Sequence, residues 1–417
     1  MKKLSLTVAA AAVVSLMSAS AFAQSTVTLY GILDGGYNRV TGLKNGTVNT
    51  IASGIGSGSR FGFRGTEDIG GGYKAIFTLE NRLELDTGSV TNRPNSFPNL
   101  PDRFTDATLL RLPTAFQPGL SAIGPAFGAN IGVNLAGNLF DRQAYAGLVT
   151  PFGAFTLGRQ YTPAFIVGTT FDTMQADTAL AAGQVVGFPG GVDIRLSNTV
   201  QYAIQQSGFT ASLMYGAGEV AGNTAKGRFY GAMGIYKGAG FSAGLGYNRA
   251  NNALAEKALT SFLVGGTVDV GPGTIFAQYG KIKDENPQNY LNLVTATTNF
   301  SAFGAGAPLV QNAYKQAFRQ DGNLMHVGYK FVTGANTVAV TYTRYDDRRP
   351  VNADVSSYGV AYFYALSKRT QLQGVLSRFD NKGAGQAAPG GGGFLGGFTA
   401  SPGQNSTGLA LGVRHTF

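Results

Sequence analysis

From Thr26 to Phe417 the chain repeats one texture: about ten residues of alternating apolar and polar side chains, then a break. Alternation with period two marks a strand whose faces meet different surroundings. It predicts strands at roughly 26–39, 58–69, 73–86, 139–149, 154–161, 197–206, 209–217, 226–237, 240–249, 259–270, 274–283, 322–332, 336–346, 354–366, 369–380 and 406–417, sixteen in all. The breaks alternate in length. Tight ones, such as Gly70-Gly71-Gly72, Ser207-Gly208 and Gly271-Pro272-Gly273, interleave with long ones at 40–57, 87–138, 162–196, 218–225, 250–258, 284–321, 347–353 and 381–405. Strands of about 9–11 residues with tight turns at one end and long loops at the other are the pattern of an outer-membrane β-barrel. In lipid only a closed sheet satisfies every backbone N–H and C=O. The expected fold is therefore all-β: a 16-stranded antiparallel transmembrane barrel with short periplasmic turns and long outer loops, its last strand paired with its first.

Composition excludes the competing classes. Charged residues make up 13% of the chain, about half of what a soluble domain carries, and Gly is 61 of 417 residues, about twice the usual share. A disordered chain needs high charge and few aromatics, whereas this one has 28 Phe and 19 Tyr. After residue 23 no apolar run is long enough for a membrane helix, and the absence of cysteine excludes a disulfide scaffold. Trp is also absent, so Tyr and Phe must form any interfacial girdle; the strand-end candidates include Tyr30, Phe331, Tyr345 and Phe379.

The N-terminus indicates export. Met1-Lys2-Lys3 is basic, Leu4 to Met17 is apolar, and Ala21-Phe22-Ala23 has the small-x-small pattern of a secretory cleavage site. The expected organisation is a cleaved signal peptide at 1–23 and one barrel at 24–417. Parity within strands agrees with a two-faced wall. In 73–86, Ala75, Phe77, Leu79, Leu83 and Leu85 share one face, and Lys74, Thr78, Glu80, Arg82 and Glu84 the other. In 406–417, Leu409, Leu411, Val413 and Phe417 oppose Gly412, Arg414 and Thr416. Inward glycines such as Gly31, Gly244 and Gly246 suit close backbone approach.

Catalytic and cofactor signals are missing. His326 takes lumenal parity and His415 the outward face, without metal-ligand spacing. There is no nucleophile elbow, and the Gly-rich stretch 390–397 has no Walker lysine and reads as flexible loop. Basic residues are scattered singly, not gathered as a nucleic-acid-binding patch. No cofactor, metal, nucleic acid or enzymatic activity is expected.

Several stretches resemble one family. Gln24-Ser25-Thr26-Val27-Thr28-Leu29-Tyr30-Gly31 is similar to the first strand of Gram-negative trimeric general porins, especially the beta-proteobacterial branch. Arg60-Phe61-Gly62-Phe63-Arg64-Gly65-Thr66-Glu67-Asp68 resembles their second strand and first turn. Arg142-Gln143-Ala144-Tyr145-Ala146-Gly147-Leu148 and Leu157-Gly158-Arg159-Gln160-Tyr161 resemble the strands entering their third loop. Ala365-Leu366-Ser367-Lys368-Arg369-Thr370 is similar to their last periplasmic turn, and the terminal Phe417 to the aromatic read by the barrel-assembly machinery. The resemblance implies an outer-membrane homotrimer that passes small hydrophilic solutes and ions by passive diffusion, with a third loop folded inward as the constriction.

Selectivity is then expected inside the barrel. The loop 162–196 carries Asp172 and Asp177 centrally and Asp193 near its return to the wall, and Pro163, Gly168, Gly183, Gly187 and Pro189-Gly190-Gly191 favour a bent path. Facing it, Arg60 and Arg64 take lumenal parity. The resemblance assigns Arg60, Arg159 and Arg195 to a basic cluster, and Arg82 joins by parity alone. Arg159 shares parity with Phe155 and Leu157, so an inward side chain there needs a local bend or a wall that faces another subunit. An arginine wall opposite carboxylates sets up a field across the pore and favours anions. The plainer alternative is a set of ordinary solvated lumenal charges. Two further alternatives remain open: a substrate-specific channel narrowed by loop 87–138 or 284–321, and a barrel that serves as surface adhesin or receptor.

Overall fold

A computed structural model describes residues 25–186, 190–288 and 300–417. The expected leader at 1–23, with its cleavage point before Gln24, lies outside the described residues, as do Gly187 and Pro189. The strands are β1 (Thr26–Leu43), β2 (Gly46–Ser53), β3 (Arg60–Gly70), β4 (Tyr73–Arg82), β5 (Gln143–Thr150), β6 (Gly153–Tyr161), β7 (Arg195–Gln206), β8 (Phe209–Gly216), β9 (Phe229–Lys237), β10 (Phe241–Asn251), β11 (Lys257–Val270), β12 (Gly273–Asp284), β13 (Gln320–Thr333), β14 (Asn336–Asp347), β15 (Val355–Ala365), β16 (Thr370–Asn381) and β17 (Ser406–Thr416). Every neighbouring pair is antiparallel, and β1 closes the sheet on β17, with Ile32 to Val40 opposite Thr416 to Gly408.

The seventeen strands occupy sixteen positions in the wall. β1 pairs with β3 over Thr26–Ile32 and with β2 over Gly35–Leu43, so β2 and β3 are two halves of one wall strand split by residues 54–59. All sixteen expected strands are present. β2 falls inside the expected first long loop; its short alternation, Val48-Asn49-Thr50-Ile51, becomes a strand because the hairpin with β1 pairs its backbone.

Burial follows the alternation. Leu213, Leu245, Val264, Val340 and Leu411 are exposed on the outer face, while Ser212, Asn248, Gln278 and Thr341 are buried on the inner one. This inside-out distribution suits a hydrocarbon solvent. Outer-face aromatics flank the aliphatic band: Phe155, Tyr202, Phe209, Tyr236 and Phe241 toward the tight turns, and Tyr215, Tyr230, Tyr247, Tyr342 and Tyr358 toward the long loops. Three expected girdle residues are elsewhere. Tyr30 donates a hydrogen bond to Glu80 inside the barrel, and Tyr345 and Phe379 are buried in an interior cluster, because loop segments fold inward and cover them.

Three of the loops contain helices that period-two reading does not detect. The second loop holds α1 (Gln117–Gly128), the third α2 (Pro163–Thr170) and the sixth α3 (Ala307–Phe318). Leu100, Phe104 and Leu120 of the second loop pack with Val310, Tyr314 and Phe318 of the sixth and Phe398 of the eighth as one apolar cluster on the long-loop side.

Candidate functional site

The third loop leaves β6 and enters the lumen through α2, which has Pro163 in its first turn, where a missing N–H costs nothing. The helix packs on Met233, Ile235 and Leu263 of β9–β11, and glycines in that wall let its backbone come close. A Cβ on Gly246 would sit 2.9 Å from Ala164 Cα, and one on Gly265 would sit 2.6 Å from Phe171 Cβ. Farther along, the Thr173 N–H donates to His326 Nε2 at 3.0 Å. The ring's other nitrogen then donates to Thr343 Oγ1 at 2.8 Å, as a neutral imidazole requires. His326, lumenal as its parity predicts, fastens the loop to β13 and β14.

The three loop carboxylates have different surroundings. Asp172 is buried and accepts the N–H groups of Met174 at 3.0 Å, Ala176 at 3.0 Å and Ala182 at 3.1 Å, so it shapes the loop's tip. Asp177 reaches the opposite side and pairs with Arg414 at 2.9 Å. Arg414 in turn pairs with Asp34 at 2.9 Å, and Asp34 accepts the N–H groups of Gly56 at 3.0 Å and Ser57 at 2.8 Å. Asp193 stands where the loop returns to β7; its backbone carbonyl accepts from the Thr162 hydroxyl, and burial pushes its carboxyl up to about 6.

Facing the loop, β3–β7 bring three guanidinium groups together. Arg60 is buried and donates to the Gly58 carbonyl at 2.9 Å and to the Ser57 hydroxyl. Arg142 pairs with Glu80 at 2.7 Å and donates to Tyr161 Oη at 3.2 Å. Arg195 donates to the same oxygen at 2.7 Å and stacks over the Tyr161 ring at 4.4 Å, a cation–π contact. Among the described residues no carboxylate lies within ion-pairing distance of Arg60 or Arg195. Three positive charges therefore share Glu80 as their one paired carboxylate, an excess of two.

The other predicted arginines stand apart. Arg82 occupies the row beside Arg60, but Glu84 at 3.2 Å and Asp141 at 3.5 Å neutralise it. Arg64 lies nearer the tight turns, stacked over Tyr30 at 5.2 Å. Arg159 is not lumenal. Its row runs through Leu29, Phe63, Leu79 and Ala144 on the outer face, and its side chain donates to the Asp141 carbonyl and to Ser197 Oγ at 3.1 Å. The register of β6 on β7 shifts between Gly158 and Gln160; this irregularity brings Tyr161 inward and leaves Arg159 on the outer face. Sequence reasoning passed over Arg142: within the expected strand 139–149 it shares the outward parity of Ala144 and Leu148, but the observed β5 starts one residue later and the side chain turns inward to Glu80. It also passed over Arg414, although its inward parity in the last strand was a usable signal.

Comparison with known proteins agrees with this architecture. Residues 7–384 match the family described as Gram-negative porin. Outer membrane porin protein 32 of Delftia acidovorans is 27% identical over 423 residues, covering 96% of each chain. An outer membrane porin protein of Bordetella pertussis is 24% identical over 449 residues, covering 99% of each. Among solved structures, an anion-selective porin from Comamonas acidovorans superposes with a TM-score of 0.67 at 24% identity, covering 94% of this chain and 100% of that one. OmpT of Vibrio cholerae in a trimer form gives 0.56 at 14% identity, covering 94% and 99%. A closed sixteen-position barrel with an inward third loop, matched over most of its length, places the chain in the Gram-negative porin family, and it is an outer-membrane porin.

Proposed function

We propose that this porin passes small hydrophilic solutes and ions by passive diffusion, prefers anions, and works as a homotrimer after removal of a signal peptide at 1–23. The observation that carries the anion preference is the wall of Arg60, Arg142 and Arg195 with Glu80 as its one paired carboxylate. Arg64 and Arg82 flank it, and Asp172, Asp177 and Asp193 lie on the facing loop. A guanidinium keeps its charge at any working pH and offers a planar fork to carboxylate or phosphate groups. One charge pair at ~4 Å is worth about 1 kcal/mol in bulk water and about 4 near a protein surface. Such a wall biases ions without trapping them. Similarity to an anion-selective porin supports the same reading.

The trimer is supported by the trimer form of a structural relative and by the outward Arg159. An arginine on a lipid-facing wall costs about 2–4 kcal/mol at the midplane and less near the interface, a cost that a neighbouring subunit removes. Phe417, exposed at the end of the closing strand, is the residue we assign to recognition by the assembly machinery.

The test is current through the purified protein in a planar bilayer under a KCl gradient. Open steps in threes, with a reversal potential favouring chloride that weakens in Arg60→Ala, Arg142→Ala and Arg195→Ala, are the expected result. Channels indifferent to these changes would remove the arginine wall from the mechanism. A folded but silent barrel would favour a surface receptor. A second reading, a substrate-specific channel, draws on the packed cluster of the second, sixth and eighth loops on the long-loop side. Liposome swelling that admits one class of solute and excludes others of equal size would favour it.

A further inference from the structure

The second and sixth loops start on opposite sides of the barrel. With β2 and β3 counted as one wall position, the second loop joins the third position to the fourth and the sixth joins the eleventh to the twelfth, half the ring away. They nevertheless interlock. The Phe104 ring of the second loop lies 4.8 Å from that of Phe318 in α3, and the Phe127 ring of α1 lies 6.2 Å from that of Tyr314. The Tyr314 hydroxyl donates to the buried Phe104 carbonyl at 2.7 Å. A Cβ on Gly119 of α1 would stand 2.6 Å from the Phe303 ring, so glycine permits the close approach. Each fully buried aromatic adds about 1.5–3 kcal/mol, which makes the junction a small core and not a passing contact.

Neighbouring loops close up against this junction on one side. Lys44 of the first loop pairs with Asp102 of the second, which also accepts from the Gln386 amide of the eighth at 3.0 Å. The Phe398 N–H of the eighth donates to Ser96 Oγ of the second at 2.9 Å. The run 390–397, a flexible loop by composition, is packed here too: the Gly393 N–H donates to the Gly54 carbonyl at 3.0 Å. The seventh loop joins through the Asn352 carbonyl, which accepts the Ala384 N–H at 2.8 Å, and through Arg349, which donates to the Ala317 carbonyl of α3 at 3.1 Å. Five loops thus form one block above the wall that runs from β13 through β17 and β1 to β4. The other half differs. The fourth loop (217–228) and the fifth (252–256) are short and bond to each other, the Gly227 N–H donating to the Asn252 carbonyl at 3.0 Å, and the third turns down into the lumen.

We propose that the packed block is a roof over one half of the mouth, and that solutes enter off-centre through a portal above β5–β11, bounded by the fourth and fifth loops. This rests on the reading of the lumen as a diffusion path. Arg142 precedes β5 and Arg195 opens β7, both at the long-loop end of that half. An anion that enters there reaches the arginine wall without crossing the mouth.

The test maps the path with charge. The chain has no cysteine, so a single introduced thiol is the only one labelled. Ala225→Cys and Ala253→Cys stand on the portal loops, and Pro350→Cys and Ser401→Cys on the roofed half. Each full-length variant is treated in a planar bilayer with a small thiol reagent of either charge, in about 0.1 M KCl, where a charge acts over about 10 Å. On the portal loops a cationic label is expected to raise chloride current and an anionic label to lower it, each by about a fifth or more, while labels on the roofed half change it by less than about a twentieth. Equal responses at all four positions would overturn the proposal in favour of a central mouth. So would responses at Pro350→Cys or Ser401→Cys alone, or none at any position. Deleting 114–129, which removes α1, breaks the roof; in that background Ser401→Cys is expected to respond, and a conducting deletion in which it stays silent would overturn the roof's role. If the deletion does not assemble, the four cysteines decide alone. An unlabelled protein without current would overturn the diffusion reading and the portal with it.

Discussion

Two walls of this lumen are built from the same alternating strands and end up unlike. Along β3–β7 the inward positions carry long polar side chains, Arg60, Glu80, Tyr145 and Gln201, which fill the space themselves. Along β10–β13 the inward positions include Gly246, Gly265 and Gly328, and there the third loop fills the space: Ala164, Phe171 and Thr173 lie directly on those glycines. On the proposed function, the first wall is the one that presents charge to permeating solute. The second serves as a cradle for the loop, with Asp172 held beside His326 of β13 and Asp177 reaching Arg414 of β17. Alternation says which face is inward, and side-chain volume decides whether water or chain occupies it.

The largest effect is expected where the charged wall is erased. Changing Arg60, Arg142 and Arg195 together to alanine should lower the chloride-to-potassium permeability ratio about tenfold, equivalent to about 1.4 kcal/mol, as read from the reversal potential. The cradle is tested next. Gly265→Leu forces a side chain into Phe171, and overpacking of this kind costs about 1–3 kcal/mol. A lower unfolding temperature in detergent and an altered conductance are expected, whereas an unchanged protein would mean that the loop does not depend on the glycine wall.

Glu80→Gln sharpens the contrast from the other direction. It raises the wall's excess from two charges to three, so chloride preference should increase about twofold by the same arithmetic. Stability should fall by about 2 kcal/mol as the charge-assisted bond to Arg142 is lost. A smaller effect is expected from pH. Burial holds the Asp193 carboxyl at about 6, so its charge is lost between pH 7 and 5, well above the range of a free aspartate. Chloride preference should rise as pH falls through that window, and Asp193→Asn should abolish the step. Burial disfavours the ionised form, so Asp193 costs stability above about pH 6 and less below it. The smallest effect is Arg159→Ala, which should leave the reversal potential unchanged because the side chain lies on the outer face.

The strands were legible because a barrel wall imposes period two on every crossing, whatever its neighbours. Lumenal parity likewise placed Arg60, Arg64, Arg82 and His326 on the inner face. Parity did not distinguish Arg82, neutralised by Glu84 and Asp141, from Arg60, which among the described residues has no carboxylate at that distance. It gave Arg142 the outward face of Ala144, because the expected strand ran from 139 whereas β5 begins at Gln143, and motif resemblance placed Arg159 on the wrong side of the wall.

The sequence by itself determined the number and direction of the strands, the inward and outward faces, and the division into tight turns and long loops. These are local consequences of backbone hydrogen bonding in lipid and of a two-residue repeat. Only the tertiary structure decided where the long loops go. The glycines at 390–397 are soft in composition and packed in the fold, and Asp172 and Asp177, five residues apart, have different partners. Such outcomes depend on which distant segments approach one another, and side-chain alternation along a single strand carries no information about that.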